Sequence, residues 1–417
     1  MIALCLTKKN RQMRKYLFLF GLIAWQGCRN ADDAVIVDCT AETFADAPSL
    51  SWFTSYNGSG EESHGHYILS CSDGGFLQVG ETGYFPGSAR LYVVKTNAEG
   101  QKLWEQEFGS PGRNLGNSAI ETEDAYLICG ALDDISVLIK LNKETGSTIF
   151  SKSFDLGGTN AIEHLAEHPE GYFAVGYRNA EDRSNTFFTE GQGVLCKFSP
   201  AGELVQTILL NDHMAQGYRI QSHDQDFLIA GLTEGAEAYA LLKVDQDGSV
   251  LFSKIYGGES SDHCFGMDLG SDGSIFLTGH TLSGTANWDT YTIKVNSDGN
   301  TVWEAKQGNP RGYDPAFIHD EAWGVKATPD GGCLVVAGTG DEYNNYSSSC
   351  GEDQDNSNIW HVYLIKYNAQ GELDWQTTFS PGDGSDWAGE DIDLNSDGAA
   401  IIGVDNGAFG FLKTSAF

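Results

Sequence analysis

Four side chains suited to acid–base chemistry stand at distinctive places in the sequence. They are the candidate catalytic residues His263, His319, Tyr218 and His280. Imidazole titrates near neutral pH and a phenol can donate or accept a proton, so both groups serve as general acids or bases. His319 lies in a long segment that links two strand-rich units, and Tyr218 directly precedes Arg219. These residues predict a site that moves protons.

Arginine and aromatic side chains in similar segments are candidates for binding a substrate. The candidates are Arg219, Arg311, Arg178, Tyr313 and Trp288. The planar guanidinium group forms paired hydrogen bonds with a carboxylate or a sulfate, whereas the lysine ammonium is a strongly hydrated point charge. This set therefore predicts an anionic ligand.

Together the two sets favour β-elimination on a uronate-containing, sulfated polysaccharide. In that reaction a cation neutralises the uronate carboxylate, a base removes the C5 proton and an acid protonates the leaving oxygen. We therefore expect a polysaccharide lyase with an anionic polysaccharide as its partner. The alternatives are a non-catalytic surface protein that binds a glycan or a partner protein, and a hydrolase. The sequence contains no nucleophile elbow, P-loop, dinucleotide fingerprint or HExxH motif.

Charge and composition exclude two broad classes of protein. The 417-residue chain has 25 Lys and Arg against 58 Asp and Glu, which gives a formal net charge of −33. A general nucleic-acid-binding protein needs a basic surface, so we expect no nucleic-acid partner. The 41% hydrophobic content excludes intrinsic disorder, and 51 Gly against 9 Pro favour an all-β chain with many tight turns.

An internal repeat predicts the fold. Seven units each contain a strand that ends in Gly and a strand that ends in Lys, and most continue through a Gly turn into a strand with an aromatic residue. The strand-ending glycines are Gly80, Gly130, Gly176, Gly231, Gly279, Gly338 and Gly403. The strand-ending lysines are Lys95, Lys140, Lys197, Lys243, Lys294, Lys366 and Lys413. Intervals of 46 to 65 residues between those glycines are typical of propeller blades. The sequence therefore predicts an all-β, seven-bladed β-propeller of four-stranded blades.

The two ends of the repeat region complement each other. The seventh unit stops at Phe417, four residues after Lys413, so it lacks an outer strand. The segment Trp52–Tyr56 has the aromatic outer-strand pattern but no unit of its own. We expect this N-terminal strand to complete the C-terminal blade and close the ring, which removes an open sheet edge.

The loops of a propeller divide between two faces, and the first face is the one that carries the links between blades. The six arginines after Arg29 fall in loops of this face or at their edges, and seven of the ten histidines lie on the same face. Counting back sixteen residues from each strand-ending Gly gives a position that should face the channel mouth, and His263 occupies it in the fifth unit. We therefore expect the site on the first face.

The repeat, from Trp52 to Phe417, resembles propellers that are common in secreted and surface proteins of Bacteroidetes. In architecture and in its supply of Arg, His and Tyr, the chain is similar to the seven-bladed ulvan lyases and oligogalacturonate lyases. That resemblance implies an ulvan-like glycan cleaved by elimination. The order and spacing of the ulvan lyases' catalytic residues are not matched in this chain, so no residue role is transferred from them.

The amino terminus predicts export. Five cations between Lys8 and Lys15 precede the apolar run Tyr16–Trp25, which is too short to span a bilayer. Trp25–Cys28 resembles a lipobox, so we predict a signal peptide over 1–27, lipidation of Cys28, a tether over 28–48 and the propeller over 49–417. We expect a monomeric outer-membrane or cell-surface lipoprotein that contacts the membrane through its lipid anchor. The alternative is cleavage into the periplasm or secretion.

Cysteine pairing and metal binding stay open at this stage. Seven cysteines follow Cys28, an odd number without CxxC pairs, so the pattern predicts neither a disulfide framework nor a zinc site. A bridge from Cys39 or Cys350 is compatible with the sequence. The acidic stretch Glu352–Asn356 offers oxygen ligands for Ca²⁺ but lacks the EF-hand pattern, so no cofactor is assigned.

Overall fold

A computed structural model describes residues 39–180, 191–236, 238–341, 343, 348–350 and 357–417. In these residues 28 strands form seven four-stranded antiparallel sheets, each with one strand on the central axis and one at the rim. This arrangement confirms the predicted seven-bladed β-propeller. The predicted signal peptide and Cys28 lie outside the described residues, and so do all residues of Glu352–Asn356.

Each blade runs outward through four strands. The inner strands are β2 (Ser63–Ser70), β6 (Asn114–Glu121), β10 (Thr159–His168), β14 (Gln216–His223), β18 (Asp262–Leu269), β22 (Ile318–Ala327) and β26 (Ala388–Leu394). The second strands are β3 (Phe76–Thr82), β7 (Ala125–Leu132), β11 (Gly171–Ala180), β15 (Asp226–Leu232), β19 (Ile275–Thr281), β23 (Cys333–Asp341) and β27 (Ala400–Asp405).

The two remaining positions lie towards the rim. The third strands are β4 (Ala89–Thr96), β8 (Ile135–Asn142), β12 (Gln192–Phe198), β16 (Ala238–Val244), β20 (Asp289–Val295), β24 (His361–Tyr367) and β28 (Phe409–Thr414). The outer strands are β5 (Lys102–Gly112), β9 (Thr148–Phe154), β13 (Leu204–Leu209), β17 (Val250–Gly257), β21 (Thr301–Gln307), β25 (Leu373–Phe379) and β1 (Leu50–Tyr56). A 3₁₀ turn, Glu234–Ala236, precedes β16.

Burial explains the strand sequences. Second strands are packed between two neighbouring blades, so every residue of β3 and β23 is buried, and β23 begins with the apolar run 333–338. Outer strands have one face on the solvent, and β17 alternates exposed with half-buried residues along its length. The hydrophobic core therefore lies between the blades, in the layers made by second and third strands.

The strand-ending lysines make the same kind of ion pair in all seven blades. Each lysine pairs with an acid in or near the turn before the second strand. Lys366 lies 2.7 Å from Asp330, and Lys95, which is fully buried, lies 2.9 Å from Asp73. The other pairs are Lys140–Asp124, Lys197–Glu170, Lys243–Asp226, Lys294–Asp272 and Lys413–Asp397. The recurring lysine is therefore one partner of an ion pair that connects this turn to the third strand.

The recurrent Gly turns and outer-strand aromatics contact each other between blades. Gly146 has a φ of +66°, and a Cβ there would lie 2.6 Å from the Trp104 ring of the preceding blade. The Trp104 indole N–H donates to the Lys143 carbonyl oxygen at 3.0 Å. In the third blade Gln206 stands at the aromatic position, opposite Lys197, and Ile208, two residues further along β13, packs against Gly248 of the next blade instead.

The N-terminal strand closes the ring as predicted. β1 pairs antiparallel with β28, with Phe53 opposite Leu412. The Phe53 ring stacks on Trp387 with centroids 3.9 Å apart. Trp52 packs on Gly100 of the first blade, which is the contact that Trp104 makes with Gly146. The strand therefore does in the seventh blade what an internal outer strand does elsewhere.

A disulfide bridge joins Cys39 to Cys350 across 311 residues of sequence. It attaches the described part of the predicted tether to the body, and Phe44 packs against the core between the sixth and seventh blades. The other cysteines in the described ranges are unpaired and buried: Cys71, Cys129, Cys196, Cys264 and Cys333. Among the described residues there is no helix of the length and hydrophobicity that a membrane crossing requires.

Candidate ligand site at the mouth of the central channel

Every inner strand carries a β-bulge at a similar height, close to its first-face end. A bulge inserts an unpaired residue into a strand and re-aims its side chain, and bulges are frequent beside functional sites. We call the seven inserted residues the bulge ring: His66, Asn117, Glu163, Tyr218, Phe265, Trp323 and Glu390. Because inner strands surround the central channel, this ring lies at the channel mouth.

Three consecutive blades supply an aromatic arc to the bulge ring. The ring centroids of Tyr218 and Phe265 are 5.0 Å apart, and those of Phe265 and Trp323 are 4.4 Å apart. Phe265 and Tyr218 are buried, whereas Trp323 is partly exposed. The three side chains therefore form one continuous apolar wall, open to solvent at Trp323.

The other four blades supply a polar arc, made of Glu390, His66, Asn117 and Glu163. His66 Nε2 lies 2.6 Å from the Glu81 carboxylate, and the Asn117 amide donates to the Ile162 carbonyl oxygen at 3.0 Å. Burial raises the pKa of Glu163 to about 7, despite the nearby charges of His66 and Arg219. Burial and the charge of Asp405 likewise raise the pKa of Glu390 to about 7.

Above the polar arc, His64 bridges two acids at the first face. Its Nδ1 lies 2.8 Å from Asp405 and its Nε2 lies 3.4 Å from Glu62. Burial alone would lower the pKa of His64, but the hydrogen bond and charge of Asp405 outweigh burial and raise the pKa to about 9. The same balance raises the pKa of His66, since Glu81 and Glu390 face it. Both imidazoles are thus matched by carboxylates.

Directly below the bulge ring, four side chains from different blades plug the channel. Arg219 lies 3.3 Å from Asp391 and over the Tyr67 ring, 5.5 Å from its centroid. Tyr67 also meets His164 edge-on, with centroids 5.5 Å apart. The small cavity between these residues holds little more than water, about 30 Å³. A ligand on the bulge ring therefore rests on the plug and does not pass through.

An ion network lies towards the opposite end of the channel. Lys326 lies 3.1 Å from Asp393 and 3.8 Å from Asp268, and the Gln221 amide donates to Asp268 at 2.9 Å. The charges of Asp393 and Asp268 raise the pKa of Lys326 although burial opposes this. This network lies near the ends of the inner strands, apart from the bulge ring near their starts.

The three predicted catalytic histidines lie close together beside the aromatic arc. His263 Nδ1 and His280 Nε2 are 3.0 Å apart, in a pair of opposed residues on β18 and β19. Trp288 covers His263, with ring centroids 4.7 Å apart. Burial lowers the pKa of His263 to about 4, and burial together with the charges of His263 and His319 holds the pKa of His280 well below its usual range. The histidine pair is therefore neutral at pH 7.

His319 lies at the edge of this cluster. The structure places it inside β22 rather than in the link before it, because the strand begins at Ile318. Its Nδ1 is 3.4 Å from the Glu321 carboxylate and its Nε2 is 3.4 Å from the exposed Tyr343 hydroxyl. His319 is thus the member of the three that reaches the outermost, solvent-exposed group.

Tyr218 belongs to the aromatic arc, but its hydroxyl is engaged. It is buried and donates a hydrogen bond to Gln216 Oε1 at 2.6 Å. Burial and the charge of Glu163 raise the pKa of Tyr218 well above its ordinary value. The residue therefore contributes its ring to the wall and keeps its proton at physiological pH.

The predicted arginine ligands are spread over the molecule and are engaged by protein groups. Arg219 lies in the plug beside Asp391. Arg311 donates to the carbonyl oxygens of Thr339, Ser357 and Ile359 and stacks over Tyr313, 4.8 Å from the ring centroid. Arg178 donates to Gln192 at 3.0 Å and contacts the Leu156 carbonyl. These three guanidinium groups do not converge on one surface.

Counting back sixteen residues from the strand-ending Gly reaches, in most blades, the start of the inner strand or the residue before it, but not one common height around the channel. The turns differ in length, so the count reaches His263 one residue before the pre-bulge position but Asn114 two residues before it. The count missed Glu163, Glu390 and Trp323. In four blades a Gly precedes the bulge residue, as in Gly116–Asn117, where a Cβ on Gly116 would lie 2.6 Å from Val79 of the preceding blade. This signal would have found Glu390 but not Glu163 or Trp323.

We find no candidate metal site among the described residues. The described ranges contain no group of three or more His, Cys, Asp or Glu side chains placed to hold a metal ion. Asp289 and Asp320 come close as a pair, and burial raises the pKa of Asp320 to about 7, with the charge of Asp289 adding to the effect. The Ca²⁺ prediction for Glu352–Asn356 concerns residues outside the described ranges.

Solved structures share the propeller fold at low sequence identity. Virginiamycin B lyase from Staphylococcus aureus, solved with quinupristin, is 11% identical with a TM-score of 0.54, covering 87% of this chain and 98% of that one. The WD40 β-propeller domain of Doa1 is 15% identical with a TM-score of 0.52, covering 89% and 97%. The first two extracellular domains of Drosophila Semaphorin 1b are 9% identical with a TM-score of 0.52, covering 88% and 87%.

Sequence comparisons identify no relatives of this chain. No protein-family model and no curated protein sequence matches this chain. The structural neighbours differ widely in what they do, and a fold of this kind carries many functions. The similarity therefore shows a β-propeller architecture, and any function must be argued from the bulge ring and its surroundings.

Proposed function

We propose that this protein binds a glycan at the channel mouth, through the bulge ring. The observation that carries the proposal is the division of the ring into an aromatic arc and a polar arc. A saccharide has apolar C–H faces that pack on aromatic rings, and hydroxyl groups that bond to carboxylates and amides; binding pockets in general combine these two kinds of lining. Trp323 is the partly exposed member of the wall, and Glu390 and Glu163 border the two ends of the wall.

The engaged arginines favour a ligand less anionic than a sulfated uronate. Arg219 is bound to Asp391 and lies beneath the ring, while Arg311 and Arg178 are bound to protein groups elsewhere. Glu163 and Glu390 would repel an anion at the mouth. The anionic polysaccharide stays a prediction, but the ring supports neutral or cationic saccharides better.

Isothermal titration calorimetry with defined oligosaccharides tests glycan binding. We expect Trp323→Ala to weaken binding of the best ligand by about tenfold or more, as truncation of a central aromatic contact does in other interfaces. Tyr84→Ala is the matched control, because Tyr84 is an exposed aromatic residue at 52% of its full accessibility. Equal affinities for a folded Trp323→Ala protein and the unmodified protein would refute the proposal.

Elimination chemistry is the second candidate, and the histidine pair is the observation that favours it. A neutral imidazole can accept a proton, and His263 and His280 lie 3.0 Å apart beside Trp288. The low pKa of His263, about 4, makes it a weak base, and no described arginine is placed at the pair to neutralise a uronate carboxylate. Ultraviolet absorbance of the unsaturated product during incubation with uronate polysaccharides tests this candidate, with His263→Ala as the inactive variant.

We also propose that the protein is exported to an oxidising compartment. The Cys39–Cys350 bridge supports this, because structural disulfides persist outside the cytosol. Alkylation of the denatured protein without reductant should modify the five buried cysteines of the described core and leave these two unmodified. Anchoring through Cys28 stays a prediction, tested by membrane fractionation of Cys28→Ser.

A further inference from the structure

Resting on the proposed glycan site, we propose that the ligand carries cationic amino groups, which the Glu163 and Glu390 carboxylates receive at the two ends of the aromatic arc while the arc packs on the sugar face. The chemical class is an amine-bearing saccharide.

The cations near the mouth are matched by acids that do not belong to the bulge ring. His66 is 2.6 Å from Glu81, His64 is 2.8 Å from Asp405, and Arg219 is 3.3 Å from Asp391. Glu163 and Glu390 remain as additional negative charges on the ring. An incoming cation therefore completes the charge balance of the mouth, whereas an incoming anion worsens it.

Glu163 and Glu390 also keep their hydrogen-bonding capacity for a ligand. Among the described residues, neither carboxylate has a hydrogen-bond partner; what acts on them is the longer-range charge of neighbouring groups. An ionised carboxylate accepts several hydrogen bonds, and an ammonium group donates three. Such charge-assisted bonds are the strong ones in a protein site.

The aromatic arc lies between these two acids on the bulge ring. Glu163 and Tyr218 are on adjacent blades, and Glu390 and Trp323 are on adjacent blades, so each acid borders one end of the arc. The negative charge of Glu163 acts on Tyr218, which places the two groups near each other. A cationic sugar over this boundary would gain cation–π attraction from the wall as well as the carboxylate contacts.

The surroundings of both acids predict how binding depends on pH. Glu163 faces His66 of β2 and Arg219 and Tyr218 of β14, with Tyr177 of β11 behind it. Glu390 faces Asp405 of β27 and both histidines of β2. Both carboxyls titrate near neutrality, and a sugar amine loses its own proton in the same range, so binding should be tightest near pH 7 and should weaken towards both acid and alkaline pH.

Calorimetry with three oligosaccharides of equal length tests the inference: glucosamine oligomers, their N-acetylated counterparts and neutral glucose oligomers. We expect the amine form to bind at least tenfold more tightly than the other two. Glu163→Gln and Glu390→Gln should each reduce that preference about tenfold, and the exposed-site control Glu144→Gln should leave it unchanged.

The other outcomes separate this inference from the glycan proposal. Equal binding of amine and neutral forms would overturn the inference and leave the glycan site standing. Preferential binding of uronate oligomers would overturn it in favour of the anionic ligand that the sequence predicted. Binding of a simple polyamine without any saccharide would support the amine chemistry and refute the glycan site, and no binding of any probe would refute both. Thermal unfolding of each variant identifies one that has failed to fold.

Discussion

At the residue scale, a buried carboxyl group with a raised pKa makes the stability of this protein depend on pH. Asp320 is fully buried in β22 and accepts a hydrogen bond from the Asn309 backbone N–H at 2.7 Å. Its folded-state pKa is about 7, whereas an unfolded Asp has a pKa near 3.8. The folded state thus holds a proton that the unfolded state releases between these two pH values.

Asp320→Asn should remove part of the pH dependence of stability. Because the folded pKa is raised, the carboxyl contributes no penalty below about pH 4, and its ionisation destabilises the folded protein as pH rises towards 7. We expect the variant to be more stable than the unmodified protein at pH 8 by about 1 to 3 kcal/mol, and the difference to shrink at pH 4.5. Urea unfolding at both pH values measures this; a difference that does not vary with pH would contradict the assigned pKa.

Arg219 shows how a residue predicted as a ligand contact becomes part of the scaffold. Its guanidinium group offsets the buried Asp391 carboxylate, whose pKa burial raises to about 6. Removing one partner of a buried ion pair leaves an uncompensated charge. Arg219→Ala should therefore cost about 3 kcal/mol of stability at pH 8, and less at pH 5, where Asp391 is protonated.

The control for Arg219→Ala is Arg90→Ala. Arg90 is 36% exposed and lies 3.6 Å from Glu107, a surface pair that should contribute less than about 1 kcal/mol. Urea unfolding of the two variants compares them directly. If Arg219→Ala left stability unchanged but abolished binding of an anionic glycan, the ligand role predicted from the sequence would be correct.

At the element scale, the Gly turn and the outer-strand aromatic form one unit across each blade boundary. Gly146 illustrates this, because it needs both a left-handed backbone and the absence of a side chain beneath Trp104. Gly74 has a similar φ of +82° but open space around the Cβ position. Comparing substitutions at the two glycines therefore separates the cost of backbone strain from the cost of a packing clash.

Gly146→Ala should destabilise the protein more than Gly74→Ala. A left-handed non-Gly residue costs roughly 1–2 kcal/mol, and at Gly146 a displaced indole should add about 1–3 kcal/mol. Denaturant midpoints of both variants, compared with the unmodified protein, measure the two costs. Equal midpoints would show that the Trp104 contact tolerates an extra methyl group.

At the scale of the whole molecule, closure makes the two ends of the repeat region one blade. Trp52 and Trp104 occupy equivalent positions on the Gly turns of successive blades. If closure is as tight as an internal boundary, Trp52→Ala and Trp104→Ala should each cost about 3 kcal/mol, and deletion of Trp52–Tyr56 should cost more by exposing the edge of β28. Thermal unfolding tests this. An unaffected melting temperature after the deletion would contradict the closed ring.

The sequence alone determined the architecture, because the features that specify blades are local and repeated. A turn acid, a strand-ending Lys such as Lys95 and a Gly turn before an aromatic recur at nearly constant spacing, and each reports a contact made within or next to its own blade. The closing strand was also predictable, since Trp52–Tyr56 repeats the pattern of Trp104 and its neighbours.

Only the tertiary structure decided the candidate site. Glu163, Phe265 and Glu390 are far apart in sequence. They belong to one ring because bulges in separate strands bring them to a similar height around the axis. Bulges and turn lengths shift the register by one or two residues, and counting along the chain does not reveal those shifts. The partners of Arg219 and Arg311 likewise come from distant segments, so the sequence identified the cations but not the groups that engage them.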